Sequence, residues 1–254
     1  MNFSSLRHKP FIGSLLQLPF RLIPATAQAR IVQGPLRGKK WIVGSSIHGC
    51  WLGSYEHEKQ RIFRSHVRSG DVVYDLGANV GIYTLLASVL TGPSGRVYSF
   101  EPVPRNLRFL QKHLELNRIA NVNVMDLAIS SNDGCGQFDL GHTPLTGRLL
   151  LSRPPNVLDV RTAALDTLVF SGQIPPPNVI KCDIEGGEAE ALRGARRTLN
   201  QYRPTVFLAT HGERVHAECC RILTELRYRL ASLDALPVGE SRELLATYAA
   251  PTAL

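Results

Sequence analysis

The chain has 254 residues, with 29 Lys and Arg against 21 Asp and Glu, a net charge of +8 and a pI near 9.5. With 44% hydrophobic and 20% charged residues, it has the composition of a globular protein that buries a large core. That excludes a disordered chain, a collagen, a coiled coil and a small scaffold stapled by disulfides. At roughly 150 residues per domain, the length fits one large domain with an appendage, or two small domains. No stretch reaches the ~18–20 unbroken apolar residues of a membrane span.

Taken in chain order, Arg7-His8-Lys9 precede an apolar run from Phe11 to Phe20 that Pro10, Pro19 and Arg21 interrupt. This reads as an amphipathic or peripheral segment rather than a secretory signal, with a weak contact to an anionic membrane surface as a possible role. Residues 30 to 53 read as short extended pieces between glycines, and Glu56 to Val67 as a helix that stops near Gly70. A regular alternation follows. Asp71–Asp75, Arg96–Phe100, Val122–Met125, Val179–Asp183 and Thr205–Leu208 are short apolar strands. Between and after them, helices are predicted over Val80–Leu90, from Pro104 through Leu114, from Ala189 to Leu199, and from His216 to Arg227. Buried strands alternating with helices predict a doubly wound α/β domain with a mostly parallel, Rossmann-like sheet. The expected division is an N-terminal segment and cap over residues 1–66, a core over 67–235 and a tail over 236–254.

In such a sheet, ligands bind beyond the carboxyl ends of the strands, where strand order reverses. The first core strand runs into Asp75-Leu76-Gly77-Ala78-Asn79-Val80-Gly81. Gly77 and Gly81 suit a sharp turn and a ligand lying close to the backbone. Their GxxxG spacing is not the GxGxxG of dinucleotide binders, and Asp75 would repel a phosphate but suit a sulfonium or ammonium. Glu101, ending the next strand, can accept the hydroxyls of a ribose, and Asp126 through Ala128 could hold the rim of an adenine. Together these describe a ribonucleoside site without phosphate recognition, which S-adenosylmethionine fits.

The chain resembles the FkbM family of S-adenosylmethionine-dependent methyltransferases. The resemblance rests on Gly70-Asp71-Val72-Val73-Tyr74-Asp75-Leu76-Gly77-Ala78-Asn79-Val80-Gly81-Ile82-Tyr83-Thr84 and on Phe100-Glu101-Pro102 with Asn106-Leu107. It extends to Ala128-Ile129-Ser130, Leu165-Asp166-Thr167-Leu168 and, most specifically, Ile180-Lys181-Cys182-Asp183-Ile184-Glu185-Gly186-Gly187-Glu188 followed by Leu192-Arg193-Gly194-Ala195. Gly53-Ser54-Tyr55-Glu56 is similar to the family's opening segment. The likeness covers roughly residues 50 to 235. One departure stands out: where the family tends to carry a glutamate shortly before the histidine of the fifth strand, this chain has Ala209-Thr210-His211.

The resemblance implies a class I methyltransferase fold and S-adenosylmethionine as cofactor. Combined with the residue readings, it gives candidate cofactor contacts at Tyr55, Glu56, Asp75, Gly77, Ala78, Asn79, Gly81, Thr84, Glu101, Pro102, Asp126, Ala128 and Asp183. Methyl transfer is an in-line displacement that needs a held nucleophile and a proton acceptor. Asp183 is the first candidate for that role, with Glu185 and His211 beside it, and Lys181 would hold a carboxylate ionised. Glu188 reads as a carboxylate favouring a helix N-terminus. The five cysteines (Cys50, Cys135, Cys182, Cys219 and Cys220) are odd in number, with no CxxC or zinc-type spacing, so a reduced, cytoplasmic protein is expected. A carboxylate pair with a histidine could bind a divalent metal, but the resemblance does not require one. The resemblance points to O-methylation of a natural product, sugar or glycolipid. N-methylation of a peptide amide and a non-catalytic binding module are the alternatives. No basic run interleaved with aromatics points to nucleic acid.

Overall fold

A computed structural model describes residues 23–139, 148–150 and 157–249. The predicted amphipathic stretch before residue 23 lies outside them. The first described elements are a hairpin of β1 (Gln28–Arg30) and β2 (Lys40–Ile42), then α1 (His48–Leu52) and α2 (His57–His66).

The alternation read from the sequence follows: β3 (Val72–Leu76), α3 (Ile82–Thr91), β4 (Arg96–Phe100), α4 (Pro104–Leu116) and β5 (Val122–Met125). The chain then forms β6 (Ala128–Ile129), β7 (Gly134–Asp139), β8 (Arg148–Leu150), β9 (Val157–Ala163) and α5 (Leu165–Phe170). It returns to the main sheet with β10 (Val179–Cys182), α6 (Glu188–Arg193), α7 (Arg196–Tyr202), β11 (Thr205–Ala209), α8 (Glu213–Glu225), β12 (Tyr228–Ser232) and β13 (Glu243–Tyr248).

The seven-stranded sheet has the order β12-β13-β11-β10-β3-β4-β5. Strands β3, β4, β5, β10 and β11 are parallel, and β13 runs antiparallel to both β11 and β12. Period-two alternation feeds two apolar clusters, one on each face. Tyr74, Leu76, Ile180 and Leu208 join one, while Val73, Val97, Val179 and Phe207 join the other. On α4, Leu107, Leu110 and Leu114 are buried at the expected spacing. The order reverses between β3 and β10, so the crevice at their carboxyl ends is where the fold receives a ligand.

Three expectations are corrected. The span expected to be a tail, 236–254, contributes β13, which lies inside the sheet because Leu244 and Ala246 are wholly buried there. Residues 128–163 build a second sheet of order β6-β9-β7-β8 where no strand was predicted. The helix predicted from Ala189 to Leu199 is two helices, α6 and α7. Its break is made by Asp166, whose backbone N–H donates to Gly194 O at 2.8 Å. The Asp166 carboxylate accepts from the N–H groups of Arg197 and Thr198 at the start of α7.

Gly194 has an ordinary φ of −71°, but a Cβ there would lie 2.1 Å from Ser130 O. Gly194→Ala is therefore expected to cost ~1–3 kcal/mol through backbone displacement, read as a lowered thermal midpoint. An unchanged midpoint would show that the Ser130 turn yields freely.

Candidate active site

A cavity of about 570 Å³ opens at the carboxyl ends of β3, β4, β10 and β11, a size suited to a nucleoside-bearing cofactor. Of the residues expected at the site, Tyr55, Glu56, Gly77, Ala78, Asn79, Gly81, Glu101, Pro102, Ala128, Lys181, Asp183, Glu185 and His211 line it. Asp75, Thr84 and Asp126 are not among the lining residues.

The loop after β3 is held from behind. Glu101 is 4% exposed. One of its oxygens accepts from Asn79 N–H at 2.8 Å; the other accepts from Val103 N–H at 2.9 Å and Asn106 Nδ2 at 3.3 Å. Burial raises its pKa, and the three hydrogen bonds draw it back. The carboxylate thus ties the loop to the start of α4 and keeps roughly one of its four acceptor positions for a ligand hydroxyl.

The two glycines line the cavity and make the sharp turn expected of them, and each also lets the loop pack closely on its neighbours. A Cβ on Gly77 would lie 2.0 Å from Asp183 O, and one on Gly81 would lie 2.4 Å from Leu110 Cδ1. Both have positive φ, +78° and +96°. They let the loop pack against the end of β10 and against α4.

Asp75 is also corrected. It is 1% exposed, Thr84 Oγ1 donates to its Oδ2 at 2.7 Å, and its Oδ1 faces Lys181 Nζ at 3.5 Å. Asp75 therefore faces Lys181 and not the cavity, and Thr84 supports it from behind. Asp126 points away, with its side chain 64% exposed and 3.9 Å from Arg161. Ala128, Ile129 and Phe138 line that end instead.

The other end is dense with charge. Lys181 Nζ lies 3.6 Å from Asp183 Oδ2, 3.3 Å from Gly77 O and 5.2 Å from the centre of the Tyr83 ring. Burial would lower its pKa, but Asp183 and Asp75 outweigh burial and hold it raised. His211 donates from Nδ1 to Glu188 Oε1 at 2.8 Å. Its Nε2 faces Asp183 Oδ1 at 3.8 Å and Glu185 Oε2 at 3.5 Å. Glu188 has no exposure and also accepts from Gly186 N–H at 3.0 Å. The Glu188 hydrogen bond is the largest of the influences that push the His211 pKa up to about 9. Glu188 is therefore more than a helix-terminus carboxylate. The sequence signal was its place in the Asp183–Glu188 run, but its partner His211 is 23 residues away.

Sequence reasoning missed Glu243. It is the register partner of Ala209 across β11 and β13, and both line the cavity. Residues opposite one another on paired strands point to the same face, so a carboxylate reaches the region where Ala209 offers none. Lys59 bridges Glu243 and Glu56, and Tyr83 Oη donates to Glu56 at 2.8 Å. Nearest atoms of Asp183, Glu185 and His211 lie within 4.8 Å of one another. The same three groups could therefore hold a divalent cation.

The methyltransferase FkbM domain model matches residues 75–230. Hexuronic acid methyltransferase AglP of Haloferax volcanii is 28% identical over 144 residues, 57% of this chain and 58% of that protein. The 31-O-demethyl-FK506 methyltransferase FkbM of Streptomyces tacrolimicus is 38% identical over 68 residues, 27% of this chain and 25% of that protein. The chain thus spans under two thirds of either relative. The crystal structure of methyltransferase FkbM from Methylobacillus flagellatus KT superposes with a TM-score of 0.50 at 18% identity, covering 79% of this chain and 53% of that one, a likeness of fold. With the family model matching more than half of its length, the chain belongs to the FkbM methyltransferase family.

Proposed function

We propose that the protein transfers the methyl group of S-adenosylmethionine to a hydroxyl of a sugar or sugar-bearing natural product. The observation that carries this reading is the Glu188–His211 pair facing Asp183 and Glu185 in the same cavity as Glu101 and the glycine loop. A hydroxyl is a poor nucleophile until its proton is taken. In this reading His211 Nε2 takes that proton while Glu188 holds the ring and stabilises the imidazolium. Asp183 is an orienting group here rather than the base, because Lys181 already shares its charge. Bound S-adenosylmethionine would supply the methyl group to that oxygen and leave as S-adenosylhomocysteine, the hydroxyl proton passing to His211. A sulfonium bound there would disfavour the imidazolium through like-charge repulsion and so favour the neutral ring that accepts the proton.

Glu56, Asp183, Glu185, Glu188 and Glu243 at this end outnumber Lys59, Lys181 and His211. That balance favours an uncharged acceptor hydroxyl over one beside a free carboxylate. Residues 42–66 act as the cap, since Ser46, Cys50, Tyr55 and Glu56 line the cavity from outside the core. The five free cysteines support a reduced cytoplasmic setting, and no helix among the described residues is long and apolar enough to cross a membrane.

A histidine-selective NMR titration tests the base directly. His211 is expected to titrate near pH 9, and in Glu188→Gln the midpoint should fall toward 6.5. An unperturbed midpoint in the wild type would show that Glu188 does not hold the ring as this reading requires. For turnover, kcat/KM should rise with pH up to about 9, because the neutral ring is the active form and its pKa is raised. Flat behaviour across pH 6 to 9 would contradict it.

A second experiment separates the roles. With a neutral glycoside panel and radiolabelled cofactor, Glu101→Ala is expected to weaken S-adenosylhomocysteine binding at least about tenfold, the order of a lost hydrogen bond to a charged group. His211→Asn should bind it normally and lose about 10²–10⁴-fold in turnover. Equal loss of binding in both variants would defeat the division.

A further inference from the structure

The net charge of the chain is not spread along it. The first 55 residues hold seven of the 29 Lys and Arg and none of the 21 Asp and Glu, so the remaining 22 and 21 nearly cancel. The first acidic residue is Glu56. Four of these cations, Arg30, Arg37, Lys39 and Lys40, lie on the β1–β2 hairpin and its turn.

Lys40 and Asn117 exchange hydrogen bonds of 2.8 Å, Ile42 N–H donates to His113 Nε2 at 3.1 Å, and Trp41 stacks on His113 at 3.8 Å. These contacts fasten the β1–β2 hairpin along α4. On that helix Arg105, Arg108 and Lys112 recur at i, i+3 and i+7 and share a face, while Glu115 is the helix's only acid. Arg30, Arg37, Lys40, Arg108, Lys112 and Arg118 are all exposed, and among the described residues none of them is in an ion pair. Arg30 and Lys40 are register partners. Like charges placed opposite one another destabilise a strand pair, so fold stability does not account for the arrangement. Arg105 also lines the cavity, held by Ser45 O at 3.1 Å and lying over Phe109.

We propose that this face docks the protein on an anionic phospholipid surface. A polyanion of some kind follows from the charge alone; the choice of a membrane follows from the adjoining sequence. Residues 1–22 carry Arg7, Lys9 and Arg21, no acid, and an apolar series that includes Phe3, Phe11, Leu15, Leu16 and Phe20. A basic face together with an apolar, basic segment supplies the two signals that reversible membrane attachment requires. Single-stranded nucleic acid would need aromatic platforms among the cations, and Trp41 here is fully buried. Docking is independent of the methyl-transfer reading. On that reading, Arg105 brings the cavity mouth to the lipid surface, where the acceptor would be the head group of a lipid-linked glycan.

The test is co-sedimentation of the full chain with vesicles of phosphatidylcholine alone or with 30 mol% phosphatidylglycerol. The expected result is retention on the anionic vesicles at 50 mM NaCl and release at 500 mM, where the Debye length is only a few ångströms. R108E/K112E should lose about tenfold or more in partition, each cation near the surface being worth several-fold. Neither residue lines the cavity, so unchanged S-adenosylhomocysteine binding by this variant checks that it is folded. Retention on neither vesicle, equal retention on both, or retention unchanged in the folded variant would overturn the proposal. So would capture of the chain by single-stranded RNA without vesicle retention, which would assign the face to nucleic acid.

Discussion

A lysine buried at the point where the sheet reverses organises the site. Lys181 on β10 lies in register with Asp75 on β3, and its ammonium stands between that carboxylate, Asp183 and Gly77 O. Asp75 is 1% exposed, and a carboxylate buried in a parallel sheet is costly unless it has a cationic partner of this kind. Removing one member of a buried pair generally costs several kcal/mol because the other charge is left behind. The arrangement therefore binds two strands that are far apart in sequence and fixes Asp183 at the mouth of the cavity. Thr84 and Ser99 complete the support behind Asp75.

From that anchor the cavity divides by chemistry. One side is apolar and backbone-rich, with Ala78, Ala128, Ile129 and Phe138 around the carboxylate of Glu101. The other gathers Glu56, Asp183, Glu185, Glu188 and Glu243 around Lys181 and His211. Glu56, Asn79 and Glu185 adopt left-handed backbone conformations, with φ of 46°, 50° and 55°. All three line the cavity. Non-glycine residues held in that region cost free energy that the surrounding packing must offset, and they concentrate where function demands an exact placement.

The strands β3, β4, β10 and β11 and the loop after β3 were legible in the sequence because short apolar runs bounded by glycine and acidic residues report directly on a buried parallel sheet. The GxxxG spacing and Glu101 were legible for the same local reason. What escaped depends on contacts across the fold. Glu243 enters the cavity only because β13 inserts between β11 and β12, a pairing that no local pattern marks. The partnership of Glu188 with His211 and the break at Gly194 under Asp166 likewise join residues more than twenty positions apart. Asp75 and Asp126 lie at the expected strand ends, but local pattern does not tell that Asp75 turns to Lys181 and Asp126 to solvent.

The cofactor is tested most directly by a thermal-shift titration with S-adenosylhomocysteine, with NAD as the control. A saturable rise with S-adenosylhomocysteine alone is expected, worth ~2.7 kcal/mol at a hundred times the dissociation constant. A folded protein that shows no rise, or that rises with NAD instead, would contradict it.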